Sequence, residues 1–387
     1  MASHKESVKS LRTFAAASLL NDLGGDAVKP FWPMFVTSIL GAPVSVLGLL
    51  DGMGDLISYG SKFPAGWISD KIRRRKPLIW FGYLFAAFAR IGYALAPAIS
   101  WLFPLKAMER LGKLRDPPRD ALLADITPRA KRGHAFGFLT SMDNLGAALG
   151  PIFGVLLFAL LSYRGMFALA AIPSMIGAVG IILLVHERKP KPYKLGKRNR
   201  LGKEFRHLSA LSALFSLSWF SLSFMVLHTT IYEGVPVILT PALFFVMSIA
   251  ATISSAKMGD ISDRIGRKKS LIVTYTIYGA VLLGFILVHL SGFSGISGLA
   301  VSLALFMVYG VHYGALSAIH PAYVTELVPS QSRAYASGLF QSTIGVSAFI
   351  ASIIGGLLWD IASPLATFSY ALLLVIAAIV AAPAILK

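Results

Sequence analysis

The sequence contains no cysteine, which excludes a disulfide framework, a thiolate metal site and a cysteine nucleophile. Charged residues are also scarce: they make up 14% of the chain, against about 25% in an ordinary soluble domain. This composition argues strongly against a soluble multidomain enzyme. Basic residues outnumber acidic ones by 36 to 18, and a nucleic-acid-binding protein would explain that excess but not the shortage of polar residues.

Several motifs with known chemistry are missing as well. There is no Gly-Lys-Ser/Thr phosphate loop for ATP hydrolysis, no His-Glu-x-x-His pattern for a catalytic metal and no Gly-x-Ser-x-Gly elbow for a nucleophilic serine. We therefore expect a protein that is not an enzyme and that needs no cofactor and no bound metal.

Long apolar stretches dominate the chain. Hydrophobic residues make up 56% of it, and the mean hydropathy is +0.69. A helix that crosses a bilayer needs about 20 mostly apolar residues, and twelve such stretches lie between the charge runs and the Gly, Pro and Ser breaks. The sequence thus predicts an all-α membrane protein with twelve transmembrane helices. The predicted spans are 11–40, 44–69, 77–97, 101–124, 134–160, 165–186, 207–231, 237–258, 270–290, 296–324, 334–359 and 364–385.

The basic residues indicate how these spans are oriented. With a cytoplasmic N-terminus, 26 of the 36 Lys and Arg residues fall in predicted cytoplasmic segments or, for Arg12, at the cytoplasmic end of a span, and the opposite face holds Arg164 alone. Cytoplasmic loops of membrane proteins carry such an excess of Lys and Arg. We therefore predict a multi-pass protein of the cell membrane with both termini in the cytoplasm.

Two motifs occur once in each half of the chain, at the same place among the spans. The first has Gly and Asp four residues apart, followed by basic residues, and its copies are offset by 193 residues. The second has an acidic residue seven positions before an Arg, and its copies are offset by 201 residues. Such a repeat indicates a duplication. The residues are Gly66, Asp70, Gly259 and Asp263 in the first motif, and Asp125, Arg132, Glu326 and Arg333 in the second.

The duplication predicts two pseudo-symmetric six-helix bundles, 1–186 and 207–387, joined by a basic cytoplasmic linker, 187–206. The repeated first motif resembles motif A of the Major Facilitator Superfamily, and the plan of six plus six spans matches that family over essentially the whole chain. The resemblance implies the fold of that superfamily and alternating access between the two halves. The first copy departs from the pattern, because Arg73 stands where the second copy has the expected glycine, Gly266.

In that family, the motif A Asp helps to hold the two halves together on the cytoplasmic side. A carboxylate at a helix end can do so by pairing with Arg and by facing the positive end of another helix. The resemblance therefore implies a cytoplasmic gate, with a solvated basic loop that only sets topology as the alternative. The implied gate residues are Gly66, Asp70, Arg74, Arg75, Asp125 and Arg132, and in the repeat Gly259, Asp263, Arg267, Lys268, Glu326 and Arg333.

A glycine series in predicted span 5 resembles motif C of facilitator antiporters. Small residues let helix backbones approach closely, and Pro bends a helix. The resemblance implies export, whereas a simple packing seam would involve the same residues without specifying a direction. The series consists of Gly137, Gly146, Gly150, Pro151 and Gly154, with Val155 in place of the last glycine of the motif.

Predicted span 4 carries eight charged residues. A charge at the centre of a membrane helix costs about 2.5–3.5 kcal/mol on insertion scales, so these side chains must face a cavity or one another. The pattern resembles an uncharacterised bacterial and archaeal subgroup of the superfamily, in which either Lys106 or Arg110 would correspond to a basic residue implicated in proton coupling. The eight residues are Lys106, Glu109, Arg110, Lys113, Arg115, Asp116, Arg119 and Asp120.

Other spans of the first half supply further acidic residues, so we expect an internally paired network. A desolvated Asp can exchange its proton near neutral pH. We therefore interpret Asp22 or Asp26, together with Arg110, as the proton-coupling group, with a purely structural network as the alternative. The acidic residues outside span 4 are Asp22, Asp26, Asp51, Asp55 and Asp143.

The second half has few membrane charges and four membrane histidines: His228, His289, His312 and His320. A single membrane histidine is more often a packing residue than a proton relay, and we interpret these four in that way. Aromatic residues are expected to line a cavity in this half: Trp219, Tyr309, Tyr313 and Tyr323.

These patterns together predict a secondary active transporter, and we favour proton-coupled efflux of a small solute by a single chain. Its partners are then a small-molecule or ion substrate, protons and membrane lipid, and not nucleic acid. One alternative is uptake or facilitated transport of a charged metabolite or metal ion through the first-half network. Another is a non-transporting membrane receptor on the same fold.

Overall fold

A computed structural model describes residues 4–72, 74–128, 132–185, 187, 201–329 and 332–385, with the side chains of 4–7, 62–63, 66–67, 69–72, 132 and 334 outside the description. The described residues form thirteen α-helices of ten residues or more and contain no strand, which confirms the all-α prediction. The helices are α1 (His4–Val28), α2 (Val44–Ile72), α3 (Lys76–Leu95), α4 (Leu102–Leu111), α5 (Asp116–Ile126), α6 (Arg132–Leu184), α7 (Lys203–Ser216), α8 (Leu222–Ile231), α9 (Thr240–Ile265), α10 (Arg267–Ser291), α11 (Gly295–Glu326), α12 (Arg333–Ile361) and α13 (Pro364–Ile385).

Seven helical segments of the described residues are long and apolar enough to cross a membrane. The longest helix, α6, has 53 residues. At 1.5 Å per residue it would measure about 80 Å, more than twice the roughly 30 Å hydrocarbon core. Ser162, with φ 57°, breaks the helical geometry of α6 at the predicted junction of spans 5 and 6.

Three of the predicted spans are interrupted. Span 1 continues beyond α1 through two short segments, Trp32–Met34 and the π-helical Phe35–Ile39. Span 4 consists of α4, a 3₁₀ turn at Gly112–Arg115, and α5, whose first turn contains prolines that lack the N–H needed to continue a helix. Span 7 consists of α7 and α8, and the Ser221 hydroxyl caps α8 by accepting from the Ser223 amide at 3.1 Å.

The chain forms two compact units. They differ from the predicted bundles because residues 32–59 belong to the second unit and not to the first. Unit 1 comprises Met1–Phe31 and Gly60–Leu195, and unit 2 comprises Trp32–Tyr59 and Gly196–Lys387. The division into bundles 1–186 and 207–387 stays a prediction, and residues 188–200 of the predicted linker lie outside the described residues.

The core of unit 1 lies where α1, α3, α5 and α6 meet. Phe14, Tyr83, Leu123 and Ala178 are buried there with their neighbours. Because lipid is as apolar as this core, such contacts stabilise a membrane protein through close packing rather than through removal from water. The same helices carry most of the charged residues of the first half, so this packing positions them.

In unit 2, α9 packs on α11, and α10 packs on α11 and α13. The segment 32–59 belongs to this unit because it packs closely on α12: a Cβ atom on Gly48 would overlap the backbone oxygen of Ser352. The carboxylate of Asp360, at the end of α12, accepts from the amides of Val44 at 3.0 Å and Ser45 at 2.8 Å. A carboxylate from α12 therefore caps the N-terminus of α2.

Candidate functional site

Three glycines of the predicted motif C lie on the face of α6 that contacts α1. A Cβ atom on Gly150 would lie 2.6 Å from the Cβ of Asp26, and one on Gly146 would lie 2.5 Å from a backbone oxygen of α1. Gly154 is confined in the same way, whereas Gly137 has nothing within 4 Å of that position. The small residues thus let two helix backbones meet, and they hold the Asp26 turn of α1 against α6.

Arg119 on α5 is surrounded by three carboxylates of the predicted network. Its Nε donates to Asp120 Oδ1 at 3.0 Å, and its Nη1 lies 3.8 Å from Asp143 Oδ2 and 3.9 Å from Asp116 Oδ1. Nη1 also donates to the Ser18 hydroxyl at 2.8 Å, which ties the group to α1. Because Arg119 is only 8% exposed, its charge needs these partners.

The acidic residues of α1 lie beside basic residues. Asp26 forms an ion pair with Lys29, the residue directly after α1. Among the basic residues, Arg115 has the largest electrostatic effect on Asp22. Arg110 interacts electrostatically with Lys29 and with Glu109. Its pairing with Asp22 or Asp26 stays a prediction.

The remaining charges of span 4 are also held by neighbours. Glu109 Oε2 accepts from the Tyr93 hydroxyl at 3.0 Å and lies 3.9 Å from Lys106 Nζ. The Arg115 guanidinium stacks on the Tyr83 ring at 4.6 Å from its centroid, a favourable cation–π contact. Lys113 lies in the 3₁₀ turn between α4 and α5.

Arg90 on α3 has a connecting role that was not assigned from the sequence. It is 2% exposed and donates to the Ser174 hydroxyl at 2.6 Å, to the Ala170 carbonyl at 3.2 Å and to the Asn21 carbonyl at 3.3 Å. Arg90 therefore joins α3 to α6 and α1. An arginine in the middle of an otherwise apolar span is the sequence signal for such a role.

Asp51 and Asp55 lie in unit 2, whereas the prediction grouped them with acidic residues that lie in unit 1. Asp51 is 6% exposed, and its Oδ1 accepts from Trp32 Nε1 at 2.9 Å. Its Oδ2 accepts from the hydroxyls of Ser221 at 2.7 Å and Ser223 at 2.6 Å. The hydroxyls at the start of α8 thus bind this carboxylate, and no repeat or spacing in the sequence marks them.

The first copy of the predicted gate contains a close ion pair. Arg75, which is 8% exposed, pairs through Nη1 with Asp125. The next residue, Lys76, donates from Nζ to the Ile182 carbonyl at the end of α6, at 2.7 Å. The side chains of three further predicted gate residues lie outside the described residues: Gly66, Asp70 and Arg132.

The second copy repeats this arrangement in unit 2. Arg267 donates from Nε to Glu326 Oε1 at 2.8 Å and also pairs with Asp263. Lys268 Nζ donates to the Pro383 carbonyl at the end of α13, at 3.3 Å. The other predicted residues are Gly259 in α9, Arg333 at the exposed start of α12 and, in the first copy, Arg74 in the turn before α3.

By these contacts, Arg75 in the first copy corresponds to Arg267 in the second. The motif spacing instead aligns Arg74 with Arg267, so the two alignments differ by one position. The arginine that forms the ion pair follows the motif Asp by five positions in the first copy and by four in the second. There Gly266 has φ 88°, a conformation that glycine adopts without the strain of a side chain. The ion pair is therefore the feature that the two copies share, and the loop length is not.

A small aromatic cavity lies within unit 2. Its volume is 160 Å³, comparable with the roughly 150 Å³ cavity that holds one benzene molecule. His320 Nε2 is buried and has no hydrogen-bond partner among the described residues. Trp219 is fixed by donating to the Tyr309 hydroxyl at 3.0 Å. The lining includes Tyr59, Trp219, Tyr313, His320, Phe340 and Gln341.

Helices apolar enough to cross a membrane and an Arg–carboxylate ion pair that occurs once in each half are the features of a polytopic membrane protein with an internal repeat. The family model described as Major Facilitator Superfamily matches residues 14–319, and the chain belongs to that superfamily. It is 33% identical to an uncharacterised MFS-type transporter of Methanocaldococcus jannaschii, over 96% of this chain and 94% of that protein. The superfamily consists of transporters and not of enzymes, as the sequence predicted.

Two further similarities concern part of the chain or its fold. The chain is 34% identical over 163 residues to the multidrug resistance protein MdtH of Photorhabdus laumondii, covering 40% of each protein. The nucleoside transporter NupG superposes with a TM-score of 0.82 over 98% of this chain and 100% of that one, at 13% sequence identity. The second similarity concerns the fold alone.

Proposed function

We propose that this transporter exports a small solute in exchange for protons. The observation that carries the proposal is the acidic turn of α1, with Asp22 and Asp26, held against the motif C glycines beside the Arg119 cluster. Carboxylates inside a membrane protein are groups whose protonation responds strongly to desolvation and to nearby charges. The similarity to MdtH and the resemblance to motif C support the outward direction.

The proton would act by changing which side chains attract one another. An ionised Asp26 attracts Lys29, and an ionised Asp22 attracts Arg115. Protonating Asp22 removes an attraction between α1 and the 3₁₀ turn before α5, which frees α1 to move relative to that turn and to Arg110 at the end of α4. Protonating Asp26 releases Lys29. Deprotonation restores the pairs, so proton binding and release would drive the exchange of conformations.

The remaining parts of the proposal concern topology and gating. A solute site between bundles 1–186 and 207–387 would open alternately to each side of the cell membrane. Both termini and the 187–206 linker would lie in the cytoplasm. The ion pairs Arg75–Asp125 and Arg267–Glu326 would belong to the cytoplasmic gate. We propose that one chain surrounded by lipid suffices for transport.

The cavity of unit 2 supports a substrate with a flat apolar ring. Its volume fits one such ring, and Trp219 and Tyr313 offer aromatic faces for stacking. His320 and Gln341 would supply hydrogen bonds to a polar substituent of the solute.

The test is flux in proteoliposomes with and without an imposed pH gradient, with phenylalanine as the first probe of a panel of solutes that carry one aromatic ring. We expect gradient-driven movement in the wild type and its loss in Asp22→Asn, Asp26→Asn or Arg110→Gln. Lys269→Gln removes an exposed charge outside the proposed site and serves as the control. Transport that ignores the gradient for every solute would sink the antiport proposal.

The same assay separates the alternatives. Saturable uptake of a charged metabolite or metal ion would favour inward transport, and ohmic current would indicate a channel. Normal cellular function in variants that carry no flux would favour a receptor.

A further inference from the structure

Three ionisable side chains that take no part in the proposed function lie together at the predicted extracytoplasmic end of unit 2. His228 is near the end of α8, Glu233 follows shortly after that helix, and His289 is near the end of α10. His228 and Glu233 are 0% and 1% exposed, whereas His289 is partly exposed. A buried carboxylate is costly unless it is paired and hydrogen-bonded, so these contacts need an explanation.

The three side chains form a continuous hydrogen-bonded chain. His228 Nδ1 lies 3.0 Å from Glu233 Oε1, and His228 Nε2 lies 3.1 Å from His289 Nδ1. The Ser302 hydroxyl on α11 donates to Glu233 Oε2 at 2.7 Å and fixes the second carboxylate oxygen. Because the two ring nitrogens of His228 face different partners, the arrangement suits proton transfer and does not suit a shared metal ion.

The geometry accommodates one added proton. With His228 neutral, its Nδ1–H donates to Glu233, and its Nε2 accepts from the Nδ1–H of His289. A proton that binds the other nitrogen of His289 lets this Nδ1–H pass to His228. The resulting imidazolium donates from both nitrogens, and Glu233 balances its charge. A second added proton would place two cations in contact, which like-charge repulsion disfavours.

The surroundings direct proton exchange through His289. The Tyr232 ring stacks on His228 at 5.4 Å and lies 5.3 Å from His289, and phenylalanine rings of α10 and α13 cover other sides of His228. Among the described residues in contact with His228, the titratable groups are Tyr232, Glu233 and His289. His289 is the member of the chain through which solvent can exchange protons with the buried pair.

We propose that His228, Glu233 and His289 form a proton-binding site that loads one proton from the extracytoplasmic side. The site lies in unit 2, whereas the proposed coupling carboxylates lie on α1 in unit 1, so it does not depend on their coupling role. Protonation changes the contacts among α8, α10 and α11. External acidity would therefore act on α8, the helix whose first turn holds Asp51.

The test is solid-state NMR of the full chain in lipid bilayers with ¹⁵N-labelled histidine, and it requires no substrate. His228→Gln assigns the His228 signals among the eight histidines. From about pH 8 to about pH 5, where histidine changes charge, we expect both ring nitrogens of His228 to convert to protonated signals. Glu233→Gln should abolish this conversion, because a buried imidazolium would then lack its counter-charge.

Two further variants keep the test decisive. His289→Gln removes the route of proton exchange but leaves the carboxylate in place, so His228 should still become protonated at equilibrium, with slower exchange, while its neutral Nε2 signal shifts. His207→Gln, a matched loss of one histidine from α7, should leave the His228 signals as in the wild type. A His228 that stays neutral over the whole range, or that titrates unchanged in Glu233→Gln, would overturn the proposal.

Discussion

The contact of α6 with α1 predicts opposite outcomes for one substitution at two glycines. Gly150→Ala would place a methyl group 2.6 Å from the Cβ of Asp26, where carbon atoms favour about 3.5–4.0 Å. The two helices would have to separate by about 1 Å, and overpacking of this kind costs about 1–3 kcal/mol. The methyl group that Gly137→Ala adds has nothing within 4 Å. This variant should therefore show only the stabilisation of about 0.5–1 kcal/mol that comes from replacing a helical glycine.

Both variants share that helical gain, so the difference between their melting temperatures isolates the packing cost. A change of 1 kcal/mol shifts the melting temperature by about 2–4 °C in domains of this size range. We therefore expect Gly150→Ala to melt about 2–12 °C below Gly137→Ala. The measurement is thermal unfolding in one detergent, followed by the intrinsic fluorescence of tryptophan. Equal melting temperatures, or a more stable Gly150→Ala, would refute the close approach of the two helices.

Three other substitutions follow from the same structure. Arg119→Gln should lower thermal stability by about 1–3 kcal/mol, because three carboxylates lose a buried partner; an unchanged melting temperature would contradict the cluster. Asp360→Ala should cost about 0.5–2 kcal/mol through loss of the α2 cap, and hydrogen exchange of the Val44 and Ser45 amides should accelerate. Arg267→Gln should hardly change stability, because Glu326 is 51% exposed and such pairs contribute about 0–1 kcal/mol, but it should alter flux if the pair gates transport.

The helices were largely predictable because hydropathy and charge runs are local properties of the sequence. The breaks inside spans follow local chemistry only in part: Pro117 and Pro118 mark the start of α5, whereas no residue type required the break at Ser162. The predicted gate residues include those of the repeated ion pair, but the motif spacing misaligned its two copies, and their role as a gate stays a prediction. The one-residue difference in spacing between the motif Asp and the pairing Arg becomes visible only when the contacts of Arg75 and Arg267 are compared.

The polar sites were predictable only as sets of residues. Spacing along span 4 identified charges that must be satisfied, but it could not show that Arg119 is surrounded by three of the carboxylates. The sequence placed Glu233 in a loop and treated His228 as a packing residue, because the contact between α8 and α10 joins positions 61 residues apart. Such contacts depend on how helices pack, which a single sequence does not specify.

The cap that Asp360 provides for α2 has a consequence for biosynthesis. The Val44 amide donates to a carboxylate that lies 316 residues further along the chain. At a synthesis rate of about 5–20 residues per second, that partner emerges roughly 15–60 s later. During this interval, the segment 32–59 must remain in the membrane without α12, so Gly48 and the start of α2 are uncovered. The second transmembrane segment is thus made early but completes its packing only after α12 has been made. A nascent chain stalled before α12 would expose a surface that membrane chaperones or proteases can recognise.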